Sequence, residues 1–130
     1  MQTIKTLPGF EQWLEANLME IETVQEMLSD KLSDNPALLC ESLARAEAWN
    51  ARISSLLADA NAFLDLAERA ALSDRNDDWT DLDRRVNLKA TVVNERRMRD
   101  IIAGIGEALK NRLILGMSLR KQSAGERQEF

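Results

Sequence analysis

The chain is expected to be all-α: a long antiparallel helical hairpin plus a third long helix, forming a coiled-coil-like bundle that oligomerises. Three observations predict this. Apolar residues recur at helical spacing over tens of positions. Ala, Leu, Glu and Arg are abundant, against five Gly and two Pro, which is the composition of long helices. No alternating apolar and polar run of strand length occurs. With 130 residues, 45% of them hydrophobic, the chain holds enough apolar material for a single helical domain over 1–130.

Leu7, Pro8 and Gly9 break the chain ahead of the first helix, expected over about 10–32. There Phe10, Leu14, Asn17, Ile21, Val24 and Leu28 alternate steps of four and three, the pattern of a helix packed along one seam. Asn17 interrupts that apolar seam, as Asn50 does on the next helix. The two either satisfy each other across an interface or are solvated at a bundle edge. Ser33 to Pro36 stops one helix and starts another, with Asn35 as N-cap and Pro36 at the first helical position, where a missing amide hydrogen is harmless. So short a linker requires an antiparallel hairpin.

The second helix, about 36–72, is the most regular element. Leu39, Leu43, Ala46, Asn50, Ile53, Leu57, Ala60, Leu64, Ala67 and Ala71 keep the four-three alternation throughout. Trp49, Leu56 and Phe63 recur beside it every seventh residue, so the apolar face is wide enough for two neighbours. At 1.5 Å per residue this helix spans roughly 55 Å and overhangs the first by about a third. Its far end, from Phe63 to Leu72, therefore needs a separate cover.

A polar break runs from Ser73 to Thr80, where Thr80 and Asp83 have the spacing of a capping box opening the third helix. Trp79 either folds back onto the bundle end or stands out as an anchor for a partner or a base. The third helix, about 81–115, changes face along its length. Leu82, Val86 and Val93 form one stripe, and Met98, Ile102, Ile105, Leu109 and Leu113 form another. Between them lies Asn94-Glu95-Arg96-Arg97, so either the helix kinks there or its halves pack on different partners. Gly104, Gly106 and Gly116 each weaken a helix by about 1 kcal/mol relative to alanine, so packing must hold the far half. Residues 118–130 form a polar tail, expected to fray.

Charge is divided along the chain. Residues 1–83 hold 6 Lys/Arg against 17 Asp/Glu, and residues 84–121 hold 10 against 3, within a net charge of −5. Such separation points to pairing between elements or to a partner of one sign. At 100° per residue Arg85, Lys89, Arg96, Arg99, Lys110 and Lys121 fall within about 40° of one line. This row either tracks a phosphate backbone through salt-sensitive contacts or answers the acidic flanks of the first two helices or of another subunit. Glu107 interrupts it, and no aromatic for base stacking lies between Trp79 and Phe130.

Enzyme chemistry finds little to work with. The chain has no His and no Tyr, which removes the commonest general base and the histidine-based nucleophile and metal motifs. It also has no glycine-rich phosphate loop. The carboxylate pairs Glu11 with Glu15, Glu22 with Glu26, and Asp65 with Glu68 either hold magnesium or form solvated acidic faces. The expectation is a non-enzyme with no cofactor and no metal. The single Cys40 forms no intrachain disulfide. No signal-like segment opens the chain and no apolar run reaches the ~18 residues of a membrane span, so a cytoplasmic protein without membrane contact is expected.

The segment Trp49 to Ala67 (WNARISSLLADANAFLDLA), a variable polar stretch, and a helix ending in Met-Ser-x-Arg-Lys at Met117 to Lys121 resemble small helical proteins encoded by tailed bacteriophages beside their recombination genes. In size and helix order the chain is similar to the recombination mediators of T4-like phages. That resemblance implies an oligomer in the bacterial host cytoplasm that binds single-stranded DNA and helps load a recombinase. It implies DNA contacts at Arg96, Arg97, Arg99, Lys110, Arg112, Arg120 and Lys121, and subunit contacts at Ile102, Ile105, Leu109 and Leu113. The alternative is a coiled-coil structural or chaperone-like protein-interaction module with no nucleic-acid binding, its hairpin cradling an amphipathic client helix.

Overall fold

The computed structural model describes residues 9–73 and 79–128. Leu7 and Pro8 of the first breaker, residues 74–78 of the polar break and the last two residues of the tail lie outside them. Among the described residues four helices follow in order: α1 (Phe10–Ser29), α2 (Pro36–Ser73), α3 (Asp81–Thr91) and α4 (Val93–Gln128). The described residues contain no strand.

The regular seam of α2 becomes the centre of the molecule. Of its residues Leu39, Leu43, Ala46, Ile53, Ala60, Leu64 and Ala71 are buried, as is Leu56 from the row beside it, while Asn50, Leu57 and Ala67 are half-buried. α2 and α4 form the closest-packed pair, and they run antiparallel, since Gly106 faces Ile53 while Gly116 faces Leu43. A Cβ at position 116 would collide with the Leu43 side chain, so glycine there permits the approach of the two helices. α1 lies along the same pair, antiparallel to α2. Its Ile21 and Val24 join Ile53, Leu56, Ile102, Ile105 and Leu109 in one core cluster.

The caps bear out the reading of the breaks. Asn35 Oδ1 accepts from the Ala37 amide at 2.9 Å and more distantly from that of Leu38, satisfying amides that the first turn of a helix leaves without partners. Thr80 Oγ1 accepts from the Asp83 amide at 3.1 Å while Asp83 Oδ2 accepts from the Thr80 amide at 3.0 Å, a reciprocal capping box.

Three boundaries differ from expectation. α1 stops at Ser29, not near Leu32, because Asp30 turns extended at φ −78°, ψ 142°. Its carbonyl accepts from Arg112 Nη1 at 2.7 Å, a partner 82 residues away that local sequence does not reveal. The third helix is two helices, meeting at Val92 (φ −103°, ψ 13°) instead of at Asn94 to Arg97. Val92 is fully buried, so the bend falls where the chain turns that side chain into the core. Residues 118–128, expected to fray, continue α4 as helix.

The stripe Leu82, Val86 and Val93 is also a correction. These residues are 67%, 59% and 53% exposed, and α3 buries none of its residues. α3 packs on the far end of α2 and does not reach α1. The start of the α2 overhang is covered by α1, where the ring of Phe63 meets Phe10 and Trp13 with centroids at 5.9 and 5.3 Å, and Leu64 and Ala71 farther along are buried as well. Leu66 and Leu72 stay exposed. Trp79 is half-buried.

Arg52 joins α1 to α2 more directly than any seam residue. Its Nε and Nη2 donate to the two carboxylate oxygens of Glu20 at 2.7 and 3.0 Å, and Nη2 also donates to Asn17 Oδ1 at 2.9 Å. Asn17 is thus satisfied by Arg52 and by the Trp13 carbonyl, not by Asn50. This bidentate clasp holds the Glu20 carboxyl below its ordinary range, hydrogen bonding outweighing the opposing effect of burial. The same bond raises Arg52. A carboxyl depressed only in the folded chain adds stability above its unfolded value of about 4.3 and loses it as pH falls through the folded value. The stability of the wild type, measured by urea unfolding, should therefore drop more steeply between about pH 5 and pH 3 than that of Glu20→Gln. Both side chains are more than a third exposed, so the difference should stay within about 1 kcal/mol; parallel pH profiles would count against the clasp.

Candidate nucleic-acid interface

The predicted cations do not form one row. Arg85 and Lys89 sit exposed on α3, on the other side of the Val92 bend from the rest, so a single helix no longer aligns them. On α4 the buried line runs through Ile102, Ile105 and Leu109. Stepping about 100° per residue from that line, Arg96, Arg99, Lys110 and Lys121 share one flank, and Arg97 and Arg112 lie on the opposite flank. Arg112 turns toward the end of α1. Arg120 is exposed but falls near the buried line rather than on the flank of the four. From Arg96 to Lys121 the common flank extends roughly 38 Å at 1.5 Å per residue.

Pairing between elements does not neutralise this flank. Arg99 Nε donates to its neighbour Asp100 at 2.7 Å, and Lys110 Nζ lies 3.8 Å from Glu107 one turn away. Arg84 pairs with Asp81 within α3 at 3.9 Å, and Arg69 with Asp65 within α2 at 3.0 Å. Among the described residues only Arg52 with Glu20 bridges two helices, and no carboxylate of α1 or α2 lies within 4 Å of a cation of α3 or α4. The division of charge seen in the sequence therefore survives folding as a division of surface. Ion pairs this exposed and this local screen a polyanion site weakly.

The four expected subunit contacts are relocated. Ile102, Ile105 and Leu109 are buried in the chain's own core, and Leu113 packs against it. Their spacing reflects the intrachain packing of α4 on α2, a demand indistinguishable in sequence from an intersubunit seam. The apolar residues α4 does present outward are Ile114, Leu115 and Met117, 64%, 55% and 54% exposed. The first and last of these lie on the cationic flank, an alignment that the helical period alone would have disclosed.

Among the described residues no group of three or more His, Cys, Asp or Glu side chains is placed to hold a metal ion. No helix among them is long and apolar enough to cross a membrane. Cys40 is exposed. No protein-family model matches the chain, and neither a curated protein nor a solved structure is significantly similar to it.

Proposed function

We propose that the chain is a non-enzymatic, oligomeric accessory protein of phage DNA recombination or replication that binds single-stranded DNA along the cationic flank of α4. The observation that carries the polyanion reading is the absence, among the described residues, of any α1 or α2 carboxylate paired with that flank. The phage context rests on the resemblance of Trp49 to Ala67 and Met117 to Lys121. Four phosphate contacts through Arg96, Arg99, Lys110 and Lys121 are weak singly, and assembly of several chains would add them. Leu115, exposed on α4 away from that flank, then takes the role of a subunit contact in place of Ile102, Ile105, Leu109 and Leu113, which pack within the chain. Recombination proteins are the expected partners on the strand.

Titration of a fluorescent single-stranded oligonucleotide tests this. Each neutralised phosphate on a single strand contributes a log–log salt slope of about −0.7. Four contacts predict a slope near −3 and an affinity roughly fifty-fold lower at about 200 mM salt than at about 50 mM. Replacing the four cations with glutamine should remove the salt dependence with the binding. An oligonucleotide that fails to bind at the lower salt, or binds equally to the variant, sinks the proposal.

Exposed apolar side chains support a second reading. Leu66 and Leu72 near the end of α2, Leu82 and Val86 on α3 and Val93 at the start of α4 are each more than half exposed. A protein-interaction module without nucleic acid would use these side chains. Recovery of one stoichiometric protein partner after nuclease treatment, with no oligonucleotide binding, would favour it.

A further inference from the structure

The structure assigns a phosphate-binding pocket to the closed end of the α1–α2 hairpin, on the opposite side of α4 from the cationic flank. Here α1 has ended, α2 is beginning and α4 passes beside both, leaving a cleft of about 240 Å³. Lys31 from the linker, Arg45 from α2 and Arg112 from α4 line it, together with the hydroxyls of Ser33 and Ser42 and a single carboxylate, Asp30. Lys31 and Arg45 are two of only six cations in the first 83 residues, and the third comes from a helix far along the chain. None of the three forms an ion pair with a described residue.

The geometry suits an oxyanion. Arg112 is anchored by donating from Nη1 to the Asp30 carbonyl at 2.7 Å, which satisfies a carbonyl at the negative end of α1 and leaves the rest of its planar donor fork for a ligand. Ser33 Oγ accepts from the Asn35 amide at 3.0 Å, so its own hydrogen is free to donate. Asn35 already caps α2, so the pocket draws on side chains and not on the helix N-terminus. Three like charges converging on one cleft against one carboxylate repel one another unless an anion lies among them. A phosphate monoester carries nearly two negative charges and three acceptor oxygens. It accommodates donors arriving from three directions better than a planar carboxylate does.

Isothermal titration with inorganic phosphate, at constant ionic strength against chloride, tests the pocket. Saturable binding is expected in the wild type. Arg45→Gln and Lys31→Gln alter exposed side chains and should each weaken binding at least ten-fold with the circular dichroism unchanged; Arg69→Gln, an exposed cation far along α2 from the cleft, should leave it intact. Displacement of phosphate by a nucleoside monophosphate and not by an unphosphorylated oligonucleotide would support the pocket with a small phosphorylated ligand. The reverse would support it with a backbone phosphate. Absence of saturable binding, or equal affinity in Arg45→Gln, overturns the pocket. Phosphate binding with no oligonucleotide binding would leave the pocket standing and remove the α4 reading instead.

Discussion

Leu109→Ala should destabilise the chain by about 2–5 kcal/mol, the range for truncating a fully buried leucine and leaving a cavity behind. Leu109 is 0% exposed and shares one cluster with Ile53, Leu56, Ile102 and residues of α1, so three helices lose contacts at once. The measurement is urea unfolding followed by helical circular dichroism, at two protein concentrations at least ten-fold apart. Because the cavity lies inside one chain, the loss should be the same at both concentrations. A loss that disappears at high concentration would show that subunit assembly buries Leu109. Leu115→Ala is the paired control: at 55% exposure it should change stability by no more than about 0.5 kcal/mol. If the outer face of α4 joins subunits, it should lower the solution mass.

Trp13→Ala is expected to cost about 3–5 kcal/mol, and Trp13→Phe much less. Trp13 is 8% exposed, stacks on Phe10 with centroids 6.0 Å apart, and meets Phe63 across the α1–α2 boundary. Its indole Nε1 donates to Asp59 Oδ2 at 3.1 Å. Alanine removes both the ring packing and the bond. Phenylalanine retains most of the packing and removes only the hydrogen bond, worth about 1 kcal/mol, since Asp59 is exposed and water takes the place of the indole. Urea unfolding of the two variants separates the terms. Equal destabilisation by both would mean that the bond to Asp59, and not the aromatic cluster, fastens α1 at this end.

The α2 seam was legible because burial on two sides demands a long apolar period, and period survives in sequence. Asn35 and the Thr80–Asp83 pair were legible because a cap acts within four residues of itself. Trp13 was not singled out, since it stands one residue off the Phe10–Leu14 seam and its worth lies in Phe63 and Asp59, some fifty residues on. The same distance hid Arg52, whose partners Glu20 and Asn17 look like ordinary surface positions. Of the candidate interface, the cations of α4 were legible as a row, whereas their separation from Arg85 and Lys89 depended on the bend at Val92.

By itself, then, the sequence determined helical character, the antiparallel turn at Asn35 and Pro36, and the separation of acidic from basic segments, because each follows from local spacing and composition. Only the tertiary structure decided which apolar stripe of α4 faces inward, where α1 ends and which cations meet. Those outcomes depend on contacts between residues far apart in the chain, and a stripe at helical period is equally suited to its own core and to another subunit until a neighbouring helix occupies it.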